Sequence, residues 1–212
     1  MSELFIRSFA GAVMVLVALG VALVGGYSFA IFVALAAVAM FYEWRRIVAG
    51  WGFGWVVGGF VYALVPALAL LWLRDRAPQG FELVLWVFIV TWTTDIGAYV
   101  AGRAIGGPKL APRISPNKTI AGLIGGMISA ALAGYAWVEF AQLPPLLAWL
   151  APLFALGAQL GDLFESSMKR RAGIKDSGSL LPGHGGVLDR LDGLLAVALV
   201  TALLLMAGLW TE

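Results

Sequence analysis

Apolar segments recur along almost the whole chain, and each approaches the roughly 20 residues that a helix needs to cross a bilayer. Between the first two, Gly25-Gly26-Tyr27 forms the entire connection. Joining those two segments would give a helix far too long for a bilayer. Seven segments can be delimited, near residues 5–24, 28–48, 52–73, 81–102, 119–140, 145–168 and 188–210.

This pattern predicts an all-α fold, a polytopic integral membrane helix bundle with about seven transmembrane helices. Composition agrees, because 61% of the 212 residues are hydrophobic and 12% are charged, whereas a soluble domain carries roughly 25% charge. A signal peptide alone cannot explain apolar segments spread over the whole length. The chain has no cysteine and a single histidine, which excludes disulfides and a multi-histidine zinc site within one chain.

The basic residues are distributed unevenly between the two sides of the predicted membrane. With the N-terminus in the cytoplasm, only Arg74 and Arg76 fall outside. This bias is the one that the positive-inside rule describes. We therefore expect a cytoplasmic N-terminus, an external C-terminus, a bacterial inner membrane location and two cytoplasmic polar loops, 103–118 and 169–187. The residues on the cytoplasmic side are Arg7, Arg45, Arg46, Arg103, Lys109, Arg113, Lys118, Lys169, Arg170, Arg171, Lys175 and Arg190.

Five carboxylates lie inside or at the ends of predicted spans, where acidic residues are rare and usually functional. Asp95 is deep in the fourth span, Asp162 and Glu165 end the sixth, and Asp189 and Asp192 begin the seventh. Spacings of three residues place each of the two latter pairs on one helix face. Capping and salt bridging would explain any one of them. Since all but Asp95 flank one cationic loop, the set favours a functional site.

Other residues of the spans receive structural interpretations. Glu43 is predicted to form a boundary ion pair within the run Glu43-Trp44-Arg45-Arg46. Gly122, Gly125 and Gly126 are predicted to allow close helix packing in the fifth span.

The first polar loop ends in Ser115-Pro116-Asn117-Lys118-Thr119. Ser115 is predicted to cap the following helix, with proline in its first turn. A helix N-terminus with exposed N–H groups binds anions, and the next three side chains would add donors. The alternative is a positive-inside loop that touches lipid headgroups.

The second polar loop places three cations beside a glycine-rich turn that contains His184, Gly185 and Gly186. Glycines allow the backbone to approach a ligand closely, and cations suit phosphates. His184 could donate to a phosphate or orient a leaving group, although a lone histidine in a polar loop is more often structural. The three cations are Lys169, Arg170 and Lys175.

One run of residues resembles the signature of the phosphatidate cytidylyltransferases (CDP-diacylglycerol synthases). It reads Ser166-x-Met168-Lys169-Arg170-x4-Lys175-Asp176-x-Gly178-x2-Leu181-Pro182-x-His184-Gly185-Gly186-Val187-x-Asp189-Arg190-Leu191-Asp192. Three upstream stretches are similar to the same family: Asp95-x-Gly97-Ala98-Tyr99-x2-Gly102-Arg103, Ile114-Ser115-Pro116-Asn117-Lys118-Thr119 and Gln159-x-Gly161-Asp162-Leu163-x-Glu165-Ser166. The chain departs from the family at Ala121, where a glutamate is common, and it is shorter than many members.

The resemblance implies that CTP and phosphatidic acid react to give CDP-diacylglycerol and pyrophosphate in phospholipid biosynthesis. It implies Mg²⁺ held by Asp162, Asp189 and Asp192, and a second cation such as K⁺. The implied catalytic residues are Asp162, Lys169, Arg170, Lys175, Asp189 and Arg190. The implied substrate-binding residues are Asp95, Ser115, Asn117, Lys118, Thr119, His184, Gly185 and Gly186.

The same resemblance predicts a catalytic domain over 81–212, preceded by helices in 1–80 that serve packing and contacts of a homodimer. The bilayer is the expected partner besides the two substrates, and nucleic acid is not. Two rival functions stay open at this point. A CTP-using polyprenol kinase would transfer the γ-phosphate, and a transporter would carry its charged site at the membrane midplane.

Overall fold

The computed structural model describes residues 3–181 and 183–208, and the side chains from residue 9 onward. Pro182 of the signature run and the end of the seventh predicted segment, 209–210, lie outside the described residues. The elements are α1 Glu3–Val24, α2 Gly26–Ile47, α3 Phe53–Arg74, α4 Gly80–Ile105, β1 Lys109–Ala111, β2 Ser115–Thr119, α5 Ile120–Ala141, α6 Pro145–Arg171 and α7 Leu188–Met206.

Each predicted apolar segment corresponds to one helix of the structure. Five of them, α2 to α6, are long and apolar enough to cross a membrane, and α1 contains the shorter apolar stretch Phe9–Val24. The chain is therefore a multi-pass helical membrane protein. The full count of seven spans, including α7 with its charged first turns, stays a prediction.

Polar contacts bring several helix termini together at one end of the bundle, called the far end here. The Arg74 Nε donates to the carbonyl oxygen of Ala22 at 2.6 Å, which joins the C-termini of α1 and α3. The Gln79 Nε2 donates to the carbonyl oxygen of Gln142 at 2.5 Å, which joins the start of α4 to the end of α5.

The opposite end, called the loop end here, carries the two polar connections. The Arg170 Nε at the end of α6 donates to the carbonyl oxygen of Ile114 at 3.2 Å, in the β1–β2 turn. The Arg171 guanidinium lies 4.3 Å from the ring centroid of Trp51, in the α2–α3 turn. Successive helices thus alternate in direction, and both predicted polar loops meet at the loop end.

Small residues hold α4 and α5 unusually close together. A methyl group at Gly97 would lie 2.7 Å from the carbonyl oxygen of Gly125, and one at Gly126 would lie 2.8 Å from that of Thr94. Backbones approach this closely only where side chains are minimal. The predicted packing role of Gly125 and Gly126 is confirmed, and it brings Asp95 on α4 beside the start of α5.

Two apolar clusters fill the interior. The larger one contains Trp86 and Phe154, whose rings meet edge to face at 4.7 Å. The smaller one joins α2 to α6 and α7 at the loop end, through the buried side chains of Trp44, Met168 and Leu188. This second cluster fixes the C-terminal turns of α2 against the helices that carry the candidate site residues.

The first polar loop differs from its prediction. α4 continues to Ile105, and the rest forms a two-stranded antiparallel hairpin in which Lys109 pairs with Thr119 and Ala111 pairs with Ser115. The expectation that Ser115 caps α5 is wrong, because Ser115 belongs to a strand. Thr119 is the cap instead, and its side chain accepts from the Gly122 N–H at 3.0 Å.

We expect Gly59→Ala to destabilise the protein, because a methyl group there would overlap the buried Trp44 indole on α2. Overpacking of this kind costs about 1–3 kcal/mol. Thermal unfolding in detergent should show a melting temperature several degrees below wild type. The neighbouring Gly58→Ala is the matched control, because nothing lies within 4 Å of the added methyl group. Equal melting temperatures for the two variants would contradict the packing described.

Candidate active site

A cavity of about 560 Å³ opens at the loop end, between α4, the hairpin, α5 and α6. Five of the predicted site residues line it. These are Asp95, Asn117, Lys118, Thr119 and Asp162. Tyr99, Arg103 and Gln159 complete its polar wall. No role in the site was predicted for these three residues.

An ion pair crosses this cavity. The Lys118 Nζ on β2 lies 2.5 Å from the Asp162 Oδ2 on α6, and the Ser166 hydroxyl donates to the Asp162 Oδ1 at 3.2 Å. The Asp162 side chain stays 32% exposed, so the carboxylate faces solvent and its charge is available to a ligand. A cation beside a carboxylate is the pairing expected where a polyphosphate binds together with a metal ion.

The N-terminus of α5 also faces the cavity. Thr119 begins the helix in an extended conformation, and Gly122 and Leu123 of the first turn line the cavity wall. N–H groups at a helix start, together with the helix dipole, favour a bound anion. Lys118 precedes this start directly, so two positive features act at the same place.

Asp189 does not line the cavity and belongs to a separate hydrogen-bond network. The Lys169 Nζ is 2.6 Å from the Asp189 Oδ1, and the backbone N–H groups of Ser177 and Gly186 donate to Oδ2 at 3.0 and 2.9 Å. The Lys169 Nζ also lies 3.3 Å from the Glu165 Oε2. Lys169 therefore lies between two carboxylates, one on α6 and one on α7.

Glu43 belongs to the same arrangement, and its predicted ion pair with the arginines that follow it is wrong. The residue is fully buried. Its carboxylate accepts from the Ser177 hydroxyl at 3.0 Å and from the backbone N–H groups of Val187 and Leu188 at 3.1 and 2.8 Å. We call Glu43, Lys169, Ser177 and Asp189 the loop clasp. Glu43 turns inward because α2 packs that face against α6 and α7, whereas Arg45 and Arg46 are exposed.

Four carboxylates lie near one another and are called the acidic cluster here. Asp95 and Asp162 belong to the cavity wall, and Glu165 and Asp192 lie behind it, towards the loop clasp. The Glu165 and Asp192 side chains lie in contact, and Asp162 and Asp95 are close enough to act electrostatically on Asp192. Neither oxygen of the fully buried Glu165 accepts a hydrogen bond from any described residue. Within residues 3–181 and 183–208 no three acidic or histidine side chains already converge as a ready metal-binding group.

The remaining predicted residues lie around the second polar loop. The Arg190 Nε donates to the carbonyl oxygen of His184 at 3.0 Å. Gly185 has a φ of +83°, and Gly186 is so close to the Ser177 hydroxyl that a methyl group there would overlap it. Both glycines thus pack against the loop clasp. Lys175 is exposed on the loop surface.

The chain is similar to known proteins over most of its length. A family model described as "Cytidylyltransferase family" matches residues 51–207. The chain is 39% identical to a phosphatidate cytidylyltransferase of Brucella suis over an alignment that covers 98% of this chain and 94% of the relative. It is equally similar to the protein of that name from Brucella abortus. It is 41% identical to the one from Staphylococcus saprophyticus, over 66% of this chain and 55% of the relative.

We expect Asp189→Asn to loosen the second polar loop while leaving the helix bundle intact, because the loss of charge weakens the Lys169 contact and both N–H contacts. Local opening should become about tenfold more frequent, which corresponds to about 1.4 kcal/mol. Limited trypsin digestion in detergent, followed at Lys175, measures this directly. Asp75→Asn is the control, because Asp75 is an exposed carboxylate at the far end, remote from the cleaved bond. Identical cleavage rates for both variants would contradict the clasp.

Proposed function

The chain belongs to the cytidylyltransferase family, and we propose that it transfers the cytidylyl group of CTP to phosphatidate, forming CDP-diacylglycerol and pyrophosphate in phospholipid biosynthesis. The observation that carries the proposal is the cavity at the loop end, where Lys118 and Asp162 face each other beside the start of α5. The similarity to proteins named phosphatidate cytidylyltransferase extends over 98% of the chain, which includes every residue that lines this cavity.

The reaction needs positioning and charge stabilisation more than acid–base chemistry. An oxygen of the phosphatidate phosphate attacks the α-phosphorus of CTP, a new P–O bond forms, and the bond to the β-phosphate breaks. Pyrophosphate leaves with the electron pair. Because the attacking phosphate is already an anion at neutral pH, no general base is required. Catalysis then depends on alignment of the two phosphates and on cations near the developing charge.

Lys118 and the first turn of α5 are suited to hold the CTP phosphates. Lys118 provides a cation at the cavity wall, and the N-terminus of α5 adds the positive end of the helix dipole. The missing side chain of Gly122 is explained by α4, because a methyl group there would lie 2.9 Å from the carbonyl oxygen of Ala98. Arg103, at the end of α4, adds a second cation to the same wall. The cations of the second loop, Lys175 and Arg190, would approach from the opposite side and contact phosphate groups that project from the cavity.

The acidic cluster fits a divalent cation chemically. Carboxylate oxygens are the ligands that Mg²⁺ prefers. The buried oxygens of Glu165 accept no hydrogen bond from a described residue, and the Lys169 Nζ at 3.3 Å is the cation beside them. We assign Asp162 and Asp192 to holding the metal, and Asp189, whose oxygens already accept three donors, to anchoring the loop. When bound, Mg²⁺ would neutralise charge on the phosphates and on the leaving group. We propose a second cation such as K⁺ here, because the four carboxylates together carry more negative charge than one Mg²⁺ neutralises.

We place the loop end at the cytoplasmic face of a bacterial inner membrane, so that CTP reaches the cavity from the cytoplasm. Of the basic side chains described, only Arg74 and Arg76 belong to the far end, and basic residues favour the cytoplasmic side. The lipid would enter sideways between helices. For the homodimer expected from the resemblance, the exposed apolar faces of α1 to α3 are the available surface.

The assay that tests the proposed function uses purified protein, phosphatidate and CTP labelled in the α-phosphate. We expect the label to appear in lipid together with an equal amount of pyrophosphate. Label that remains in CDP would indicate transfer of the γ-phosphate and support the kinase alternative. Ion or solute flux in liposomes without any lipid product would support the transporter alternative.

We expect Asp162→Asn and Asp192→Asn to weaken Mg²⁺ binding, because each removes a charged oxygen ligand. The Mg²⁺ concentration for half-maximal activity should rise roughly tenfold or more. Titration of activity with Mg²⁺ measures this, and Asp75→Asn at the far end is the control for a lost carboxylate. An unchanged Mg²⁺ requirement in both site variants would remove the metal assignment.

A further inference from the structure

We propose that Glu43 of α2 is a positioning residue for the transfer reaction, holding the second polar loop and the start of α7 in the reactive arrangement. The proposal rests on the proposed function, because it concerns that same site. It also assigns a role in the reaction to the N-terminal helices, for which the resemblance predicts packing and dimer contacts. Glu43 lies outside residues 51–207, the part matched by the family model.

The first observation is that Glu43 caps a helix to which it does not belong. The first N–H groups of any helix lack partners within the helix. In α7 the preceding residue, Val187, provides no side-chain cap. The Glu43 carboxylate fills this role from α2, by accepting from Val187 and Leu188 at 3.1 and 2.8 Å. A carboxylate at this position also interacts favourably with the helix dipole.

The second observation is that Ser177 connects Glu43 to Asp189. The Ser177 hydroxyl donates to the Glu43 Oε2 at 3.0 Å, and its backbone N–H donates to Asp189 at 3.0 Å. One loop residue is therefore held by two carboxylates from two different helices. Glu43 and Ser177 are 134 positions apart in sequence, so only the tertiary fold creates this link.

The third observation is that the loop makes room for the carboxylate. Methyl groups at Gly178 and Gly186 would both overlap the Glu43 side chain. Neither glycine has a φ that requires glycine, so the constraint there is space and not backbone conformation. These glycines of the signature run are explained by the position of Glu43 between them.

Glu43 acts through other residues and does not touch the reactants. It is fully buried and does not line the cavity. The part of the structure that it fixes is the first turn of α7, which carries Asp189 and Asp192. Asp189 holds Lys169, and Asp192 contacts Glu165, so a small shift of this turn would misplace two parts of the site together.

This geometry also limits where phosphate can bind. The N–H groups of Gly186, Val187 and Leu188 all donate to Asp189 or Glu43. The start of α7 therefore has these donors already occupied. At the start of α5, which lines the cavity, Lys118 and the positive end of the helix dipole provide the charge that an anion would meet.

The test compares Glu43→Gln with wild type in the labelled-CTP assay. The variant keeps the size of the side chain, but it loses the charge and turns one acceptor into a donor that faces N–H groups. We expect kcat to fall about a hundredfold while KM for CTP changes less than about threefold, since misplacement by about 1 Å has effects of this size. Glu82→Gln, a carboxylate lost from the far-end half of α4, is the matched control.

A double-mutant cycle with Ser177→Ala separates positioning from simple destabilisation. Ser177→Ala removes the hydroxyl but keeps the N–H contact to Asp189, and we expect about a tenfold fall in kcat. The double variant should be no slower than Glu43→Gln alone. The proposal would be overturned if the fall in kcat of the double variant equalled the product of the two single falls. It would also be overturned if each fall in kcat matched the loss of folded protein. If Glu43→Gln does not fold, unchanged kcat in Ser177→Ala overturns it by itself.

The outcome for wild type distinguishes this inference from the proposed function. If wild type forms no labelled CDP-diacylglycerol, the proposed function fails. If wild type forms it and folded Glu43→Gln keeps a kcat within about threefold of wild type, only the positioning role fails.

Discussion

The site depends on the way in which buried carboxylates find hydrogen-bond donors at one end of an apolar bundle. An ionised carboxylate without partners is very costly in such surroundings. Glu43 and Asp189 are satisfied by backbone N–H groups of the second polar loop and of α7, and Asp189 also by Lys169. The N–H groups need acceptors as much as the carboxylates need donors. This mutual requirement gives a glycine-rich loop a defined position.

The acidic cluster has the opposite property. Glu165 lies against Asp192, and among the described residues its oxygens receive no hydrogen bond; Lys169 is its cationic neighbour, at 3.3 Å. Asp162 has Lys118 and Ser166 as partners but still faces the cavity. Carboxylates whose oxygens accept hydrogen bonds from the protein thus stabilise the loop. Carboxylates whose negative charge is not balanced by the protein are suited to bind a cation. Asp189 and Asp192 represent the two kinds near the start of α7, so the proposed metal site lies beside a part of the chain that hydrogen bonds hold in place.

The helices could be predicted from sequence because the length of an apolar run is a local property, and every predicted segment coincides with a helix. The i, i+3 spacings placed Asp162 with Glu165 and Asp189 with Asp192 on single helix faces, but they could not show that Asp192 contacts Glu165 while Asp189 contacts Lys169. Ser115 was assigned wrongly as a cap because its pairing with Ala111 in a hairpin outweighs its local preference. The contacts of Glu43 could not be predicted from its neighbours in sequence. Its partners are more than 130 residues away, and two arginines next to it gave a plausible local alternative.

The long-range contacts of Glu43 change the role of the N-terminal helices. α2 contributes the acceptor that caps α7, and the cluster of Trp44, Met168 and Leu188 fixes α2 at the required distance. Gly59 in turn lets α3 lie directly against Trp44. The chain of contacts therefore runs from an α3 glycine through an α2 tryptophan to the first turn of α7. The N-terminal helices therefore do more than pack. Glu43 of α2 holds the start of α7, and with it the positions of Asp189 and Asp192.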